Sequence, residues 1–140
     1  EESGGSAFRG HIPERDGRLA GLFVMDHMAR TGKRPAELLA EMYERVGPHE
    51  YDRVDITIRA DERAAIEAHV QAHEPASVAG MKVVGRDQID GYRFHLEGGW
   101  WLLLRFSGTE PLLRIYAEMP SGEQVQEALA AGQPRAGISL

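Results

Sequence analysis

A chain of 140 residues, of which 42% are apolar and 27% charged, is long enough to bury a core, so we do not expect disorder. Sixteen Lys and Arg against 22 Asp and Glu give a net charge of −6, which argues against a general nucleic-acid binder because binding to phosphate backbones needs concentrated positive charge. Cysteine is absent, and no apolar run reaches the roughly 18 residues that a membrane-spanning helix needs. We therefore expect a cytoplasmic protein without disulfides and without nucleic-acid or membrane partners.

The first ten residues are polar and rich in glycine, which is typical of a loop. Its two carboxylates and the hydroxyl of Ser3 are groups that can hydrogen-bond the hydroxyls of a sugar. A frayed terminus explains the same composition equally well. Because the chain starts at Glu1 without an initiator methionine, we expect it to be part of a longer protein.

Two amphipathic helices are predicted next. Asp16 is a suitable N-cap for the first helix, which has a broad apolar face and stops at Gly32. Pro35 suits the first position of the second helix, which ends at Gly47-Pro48. No strand is predicted in this part of the chain, so we expect both helices to cover a sheet whose strands lie upstream of this sequence.

A change in composition at residues 47–50 predicts a boundary between a first domain, residues 1–48, and a second, residues 49–140. Alternation and helical periodicity then predict, in chain order, a strand over 51–58, a helix capped by Asp61 and running to about His73, strands over 81–85 and 92–96, a hairpin turn at Gly98-Gly99, a strand over 100–104 buried on both faces, a strand over 112–118, a helix capped by Ser121 and a loose tail over 132–140. This order indicates an α+β domain with a mainly antiparallel sheet and helices on one face.

Ten residues at the bend after the strand over 100–104, the last three of which begin the strand over 112–118, concentrate groups that can bind phosphate; they are Arg105-Phe106-Ser107-Gly108-Thr109-Glu110-Pro111-Leu112-Leu113-Arg114. The forked N–H donors of an arginine guanidinium match the oxygens of a phosphate, and the hydroxyls of Ser107 and Thr109 add further donors. Gly108 allows positive φ and has no Cβ to obstruct an oxyanion that approaches the backbone N–H groups. A Walker-type loop is excluded, because the lysine is missing and a strand follows instead of a helix. An ordinary turn is the alternative interpretation.

The sequence predicts neither a metal site nor catalytic residues in this chain. His69 and His73 lie four residues apart on a predicted helix, but zinc needs a third ligand and a zinc-protease helix has a glutamate between the pair. We therefore interpret both as solvated surface histidines. No serine–histidine–aspartate order, paired carboxylates or thiol nucleophile stands out.

Three motifs, in this order along essentially the whole chain, resemble the C-terminal part of the α-D-phosphohexomutase family, with phosphoglucomutase/phosphomannomutase as the closest named group. The motifs are Glu1-Glu2-Ser3-Gly4-Gly5, His11-Ile12-Pro13-Glu14-Arg15-Asp16-Gly17, and Arg105-Phe106-Ser107-Gly108-Thr109-Glu110-Pro111 with Arg114 and Tyr116. The resemblance implies that residues 1–48 are the C-terminal helices of the third, sugar-binding α/β domain. It also implies that residues 49–140 are the fourth, phosphate-binding domain with a TATA-binding-protein-like α+β fold.

In that family four domains surround one cleft, and a serine of the first domain carries a phosphoryl group supported by a magnesium ion on aspartates of the second. Hexose 1-phosphate and hexose 6-phosphate are interconverted through a bisphosphate intermediate of the glucose 1,6-bisphosphate type. The resemblance therefore implies magnesium as cofactor, a hexose phosphate substrate and upstream domains of the same chain as partners. The fragment is not expected to be active alone.

The resemblance also assigns roles to single residues. It places Glu1 and Ser3 at sugar hydroxyls and Arg15 at a basic position near the substrate. The loop that grips the phosphate not being transferred takes Arg105, Ser107, Gly108 and Thr109, with Arg114 as an auxiliary. Phe106 departs from the proline or small residue expected beside that arginine. The alternative is a function other than an enzyme's, namely a non-enzymatic α+β anion-binding or protein-interaction module that carries a Ser-Gly-Thr turn.

Overall fold

The computed structural model describes residues 5–133. The chain separates into two compact units, Glu1–Gly47 and Pro48–Leu140, and each is described by itself. Within the described residues no helix has the length and apolar character needed to cross a membrane.

The first unit contains helix α1, Gly17–Thr31, and helix α2, Pro35–Val46. The predicted N-cap is confirmed, because the Asp16 carboxylate accepts hydrogen bonds of 3.0 Å from two backbone N–H groups of the first turn. Gly32 ends α1 in the left-handed conformation, with φ of 69°. Pro35 occupies the first turn of α2, where a missing N–H costs no hydrogen bond.

Both helices expose their apolar side chains, and neither contains a buried residue. The exposed apolar residues of the helices are Leu22, Phe23, Val24, Met25, Leu39, Met42 and Val46. The predicted broad apolar faces are therefore confirmed. No strand is formed by residues 5–47, and the expectation that these helices cover a sheet from upstream of this sequence stays a prediction.

The second unit is a six-stranded antiparallel sheet with two helices. Its elements are β1 (Glu50–Thr57), α3 (Arg63–Ala72), β2 (Ser77–Val78), β3 (Met81–Asp87), β4 (Tyr92–Leu96), β5 (Trp101–Phe106), β6 (Leu112–Met119) and α4 (Gly122–Ala131). The strand order is β1-β6-β5-β4-β3-β2, and every neighbouring pair is antiparallel. The predicted α+β class is confirmed, while the two-residue strand β2 was not predicted.

The core lies between one face of the sheet and the two helices. Alternate strand residues point into it, and α3 contributes Val70 while α4 contributes Val125 and Leu129. The largest fully buried side chains are Phe94, Leu96, Leu102, Leu104, Leu113, Ile115, Met119 and Val125. Each such side chain stabilises the fold by about 1.5–3 kcal/mol relative to leaving it in water.

The prediction that β5 is buried on both faces is wrong. Leu102 and Leu104 are fully buried on the helix-covered face, whereas Trp101 and Leu103 on the opposite face are half-buried. The strand begins at Trp101 rather than Trp100. An antiparallel sheet that helices cover on one side has only one fully buried face. A continuous run of apolar residues in such a strand therefore does not show that both faces are buried.

The predicted cap of α3 is also wrong. The carboxylate of Asp61 accepts hydrogen bonds of 3.0 and 2.7 Å from the guanidinium of Arg59, which leaves it unavailable to the helix. The N-cap position is Glu62, which makes no side-chain capping hydrogen bond. The predicted Ser121 cap of α4 is confirmed, because Ser121 Oγ accepts from the Gln124 N–H.

The tail predicted over residues 132–140 begins differently from expectation. Gly132 is buried and its N–H donates to Ala128 O at the end of α4, so the chain is still packed at this residue. The remainder of that prediction, residues 134–140, lies outside the described residues.

Candidate phosphate-binding site

The loop over residues 107–111 connects β5 to β6. The strands pair up to Phe106 and Leu113, and the Ser107 N–H donates to Leu112 O at 2.9 Å, which closes the base of the loop. The Ile58 N–H donates to Pro111 O at 2.9 Å, which ties the loop to the segment after β1. The loop is therefore anchored at both ends by backbone hydrogen bonds.

Ser107 shapes this loop from inside. Only 8% of the residue is exposed, and its Oγ accepts hydrogen bonds from the N–H groups of Thr109, at 3.4 Å, and Glu110, at 3.2 Å. Because these amides occupy acceptor positions of the hydroxyl, the O–H remains the donor that it can offer to an anion. Its predicted contact with phosphate stays a prediction.

Gly108 and Thr109 form the exposed tip of the loop. Gly108 does not adopt the positive φ that glycine allows, and its N–H donates to no acceptor among the described residues. A Cβ built on Gly108 meets no heavy atom within 4 Å. The backbone at Gly108 is therefore open to solvent, but this openness does not require glycine, because φ is not positive and a Cβ would fit.

Arg105 and Arg114 are direct cross-strand partners at the base of the loop. Arg105 Nε lies 3.3 Å from Asp90 Oδ1. Arg114 lies 3.8 Å from Asp55 and 3.7 Å from Glu110, and its buried Nε has no hydrogen-bond partner. The structure thus brings the two predicted arginines together and surrounds them with carboxylates.

Arg63, the first residue of α3, also reaches the loop. Its Nη1 donates to Ser107 O at 2.7 Å, and its guanidinium carbon lies 5.6 Å from the centroid of the Phe106 ring. Arg63 borders a depression of about 330 Å³ whose other lining residues are Ile58, Ala60, Gly108, Thr109, Glu110 and Pro111. Sequence reasoning missed Arg63, because no pattern connects two residues 44 positions apart.

The charges around the loop are balanced. Its arginines are Arg63, Arg105 and Arg114, and the carboxylates paired with the latter two are Asp55, Asp90 and Glu110. An anion that binds Arg105 either displaces the Asp90 carboxylate or shares the guanidinium with it. Exposed ion pairs contribute about 0–1 kcal/mol, so the Asp90 carboxylate is a weak competitor for any anion at Arg105.

The residues predicted to contact the sugar are not tested by the geometry. Arg15 lies in the first unit, where Glu14 Oε1 accepts from the Arg15 N–H at 2.8 Å and lies 3.4 Å from its Nε. These two hydrogen bonds, the backbone one above all, hold the pKa of Glu14 below its ordinary value. Glu1 and Ser3 lie outside the described residues.

His69 and His73 are not the solvated pair that the sequence indicated. Their rings stack at 5.4 Å between centroids, both residues are half-buried, and the buried Nε2 of His69 has no hydrogen-bond partner. Among residues 5–133, no group of three or more His, Cys, Asp or Glu side chains is placed to hold a metal ion. The pair therefore has no further metal ligand in the described part of the chain.

The second unit is an α+β domain that presents an arginine-rich hairpin loop. Both units match models of known protein families. Residues 56–131 match the family model for the phosphoglucomutase/phosphomannomutase C-terminal domain. Residues 1–46 match the model for phosphoglucomutase/phosphomannomutase alpha/beta/alpha domain III. The chain belongs to the phosphoglucomutase/phosphomannomutase family, which confirms the resemblance inferred from its motifs.

Similar curated proteins are mutases. A phosphoglucomutase/phosphomannomutase of Thermococcus kodakarensis is 34% identical over 132 residues, which is 94% of this chain and 26% of that protein. A phosphoglucosamine mutase of Listeria monocytogenes is 31% identical over 91% of this chain and 24% of its own length, and one of Heliobacterium modesticaldum is 28% identical over 94% and 24%. The chain therefore spans about a quarter of the length of these relatives.

Proposed function

We propose that this chain is the substrate-binding C-terminal part of a phosphohexomutase, which interconverts hexose 1-phosphate and hexose 6-phosphate through a phosphoserine and a bisphosphate intermediate. One observation carries the proposal. Arg105 and Arg114 lie side by side beneath a loop whose tip is exposed, in a domain that matches the C-terminal domain of this mutase family. The names of the relatives, which include phosphoglucosamine mutases, support the same reaction class.

The role proposed for the loop is to hold the phosphate that is not transferred. Arg105 exchanges Asp90 for phosphate oxygens, while the Gly108 N–H and the Thr109 hydroxyl supply neutral donors and Arg114 adds positive charge. Phosphoryl transfer depends mainly on positioning and charge stabilisation, so a grip remote from the reacting centre supplies useful binding energy. Because these groups recognise phosphate alone, either end of the sugar can face the reacting serine.

The remaining parts of the proposed enzyme are assigned to other residues. Glu1, Ser3 and Arg15 are proposed to contact the sugar. The phosphoserine and the magnesium ligands are proposed to lie outside this sequence, and the described residues provide no group of side chains that fits magnesium. The chain alone is proposed to be inactive, and the enzyme to be cytoplasmic.

A titration of the ¹⁵N-labelled chain, followed by NMR, tests the proposal. Inorganic phosphate and glucose 1-phosphate are each expected to shift the amides of residues 107–109 at concentrations of about 1 mM or above, whereas glucose leaves them unchanged. Arg105→Met should remove the response. Arg59→Met is the matched control, because Arg59 is an exposed arginine that pairs with Asp61 instead of the loop.

Two results would count against the proposal. An unresponsive wild-type loop at saturating phosphate would favour the non-enzymatic interaction module. In an active mutase that contains this sequence, Arg105→Met should raise KM and lower kcat/KM while phosphorylation of the serine persists. Unchanged kinetics would remove Arg105 from the substrate site.

A further inference from the structure

We propose that Arg63 is a positioning residue of the phosphate site, which orients and polarises the peptide between Ser107 and Gly108 so that the Gly108 N–H is presented to the phosphate. This inference rests on the function proposed above for the loop. It assigns to Arg63 a role that acts through the backbone carbonyl of Ser107.

The geometry of the peptide bond is the first step. The described residues contain no cis peptide, so the Ser107 C=O and the Gly108 N–H point in opposite directions within one plane. Arg63 Nη1 holds the oxygen end of that plane at 2.7 Å. The N–H end is therefore directed away from Arg63, and its orientation is fixed as long as the arginine stays in place.

The hydrogen bonds of the loop are the second step. The Ser107 N–H donates to Leu112 O, and the N–H groups of Thr109 and Glu110 both donate to Ser107 Oγ. Gly108 differs, because its N–H meets no acceptor in the described part of the chain. The amide that Arg63 orients is thus the one that the described loop leaves open for a ligand.

The charge of Arg63 is the third step. A guanidinium bonded to a carbonyl withdraws electron density from the peptide and strengthens the N–H at its other end as a donor. Among the described residues no carboxylate lies within 4.0 Å of the Arg63 guanidinium to offset its charge, in contrast to Arg105 with Asp90. Arg63 therefore keeps its full charge for the peptide that it contacts.

Phe106 contacts the Arg63 guanidinium through its aromatic ring. The ring centroid lies 5.6 Å from the guanidinium carbon, within the range of a cation–π contact. A proline or a small residue at this position would offer no aromatic face. The aromatic residue that departs from the expected motif is thus explained as the partner that holds Arg63 against the loop.

The test uses the 140-residue chain labelled with ¹⁵N-glycine and titrated with inorganic phosphate. Arg63→Met keeps the apolar stem but removes the donor and the charge, and we expect phosphate affinity at Gly108 to fall about tenfold, as the loss of one charge-assisted hydrogen bond predicts. Arg63→Lys keeps the charge and a donor, and should bind within about threefold of wild type. Arg59→Met is the control and should leave the affinity unchanged.

The outcomes separate this inference from the function on which it rests. Wild-type affinity in folded Arg63→Met, or equal weakening by Lys and Met, would overturn the positioning role while the phosphate site stands. No response of wild-type Gly108 to phosphate would overturn both. If Arg63→Met does not fold, Arg63→Lys decides alone. A folded Lys variant in which Gly108 does not respond to phosphate overturns the proposal. A folded Lys variant in which Gly108 still responds, while Arg105→Met does not, supports the proposal.

Discussion

Arg105 and Arg114 face each other directly across strands β5 and β6. Like charges in this arrangement destabilise an antiparallel pair, typically by a few tenths of a kcal/mol. Asp90 offsets the charge of Arg105, and Asp55 and Glu110 offset that of Arg114, at distances of 3.3 to 3.8 Å. The domain therefore keeps two arginines at paired strand positions with exposed carboxylates as counter-charges, and the function proposed above requires phosphate to compete with those carboxylates.

Replacing Arg105 by methionine should separate ligand binding from stability. The variant loses a repulsion and an exposed ion pair together, so its free energy of unfolding in phosphate-free buffer should change by less than about 0.5 kcal/mol. Wild type should gain about 1.4 kcal/mol at a phosphate concentration ten times Kd, and the variant should not. Urea unfolding with and without phosphate measures both, and an equal gain in the variant would contradict the prediction.

Gly91 brings the β3–β4 turn against β5 next to Arg105. It has φ of 115°, and a Cβ there would lie 2.6 Å from Leu104 O and 3.2 Å from Arg105 Cα. Gly91→Ala should therefore destabilise the domain by more than the roughly 1–2 kcal/mol that positive φ alone costs an alanine. It should also weaken phosphate binding, because Asp90 and Arg105 are displaced.

Gly99→Ala is the matched control for this substitution. Gly99 also has positive φ, 92°, but nothing lies within 4 Å of a Cβ built on it. Its cost should be confined to the conformational term, and phosphate affinity should be retained. Equal costs for the two variants in urea unfolding would show that the close approach of Gly91 to β5 contributes nothing.

Local features of the fold were predictable because they depend on neighbouring residues. The caps at Asp16 and Ser121 and the strand over 92–96 agree with the structure, since a cap is decided within one turn and a strand by alternation. Asp61 has the same capping chemistry, but Arg59 holds its carboxylate instead. Capping propensity does not show whether another group, here the Arg59 side chain, competes with the helix for the same carboxylate.

The candidate site could be predicted from the sequence as a segment but not as a three-dimensional arrangement. Residues 105–114 were singled out by type, and the strand register then places Arg105 beside Arg114. The contact between Arg63 and Ser107 depends on how α3 packs beside the loop, and that contact joins distant parts of the chain. Long-range packing of this kind leaves no periodic or spacing signal in a single sequence.

Asp87 should make the stability of the second unit dependent on pH. Its carboxylate accepts from the Ile89 N–H at 3.2 Å and lies 2.7 Å from His95 Nε2 and 3.3 Å from Arg93 Nε. The Ile89 amide foremost, and then His95 and Arg93, hold the pKa of Asp87 below its ordinary value. A lowered pKa in the folded state stabilises the protein above the unfolded value of about 3.9 and stops doing so as pH falls through the folded value.

The measurement is urea unfolding of wild type and Asp87→Asn at pH values from about 2 to 6. Asparagine can accept the same backbone hydrogen bond but does not titrate in this range. The advantage of wild type should be present in the upper part of the range and should narrow as the Asp87 carboxylate is protonated. A difference that stays constant with pH would contradict the assigned shift.

Gly132 and Gly122 lie at opposite ends of α4 and should respond oppositely to alanine. A Cβ on Gly132 would lie 2.8 Å from Cγ2 of Ile115, a side chain with no exposed surface, so Gly132→Ala overpacks the core and should cost about 1–3 kcal/mol. A Cβ on Gly122 meets nothing within 4 Å, and Gly122→Ala should be neutral or stabilise by up to about 1 kcal/mol, because alanine loses less backbone entropy on folding. Urea unfolding compares the two variants, and a Gly132→Ala protein as stable as Gly122→Ala would mean that Ile115 moves aside freely.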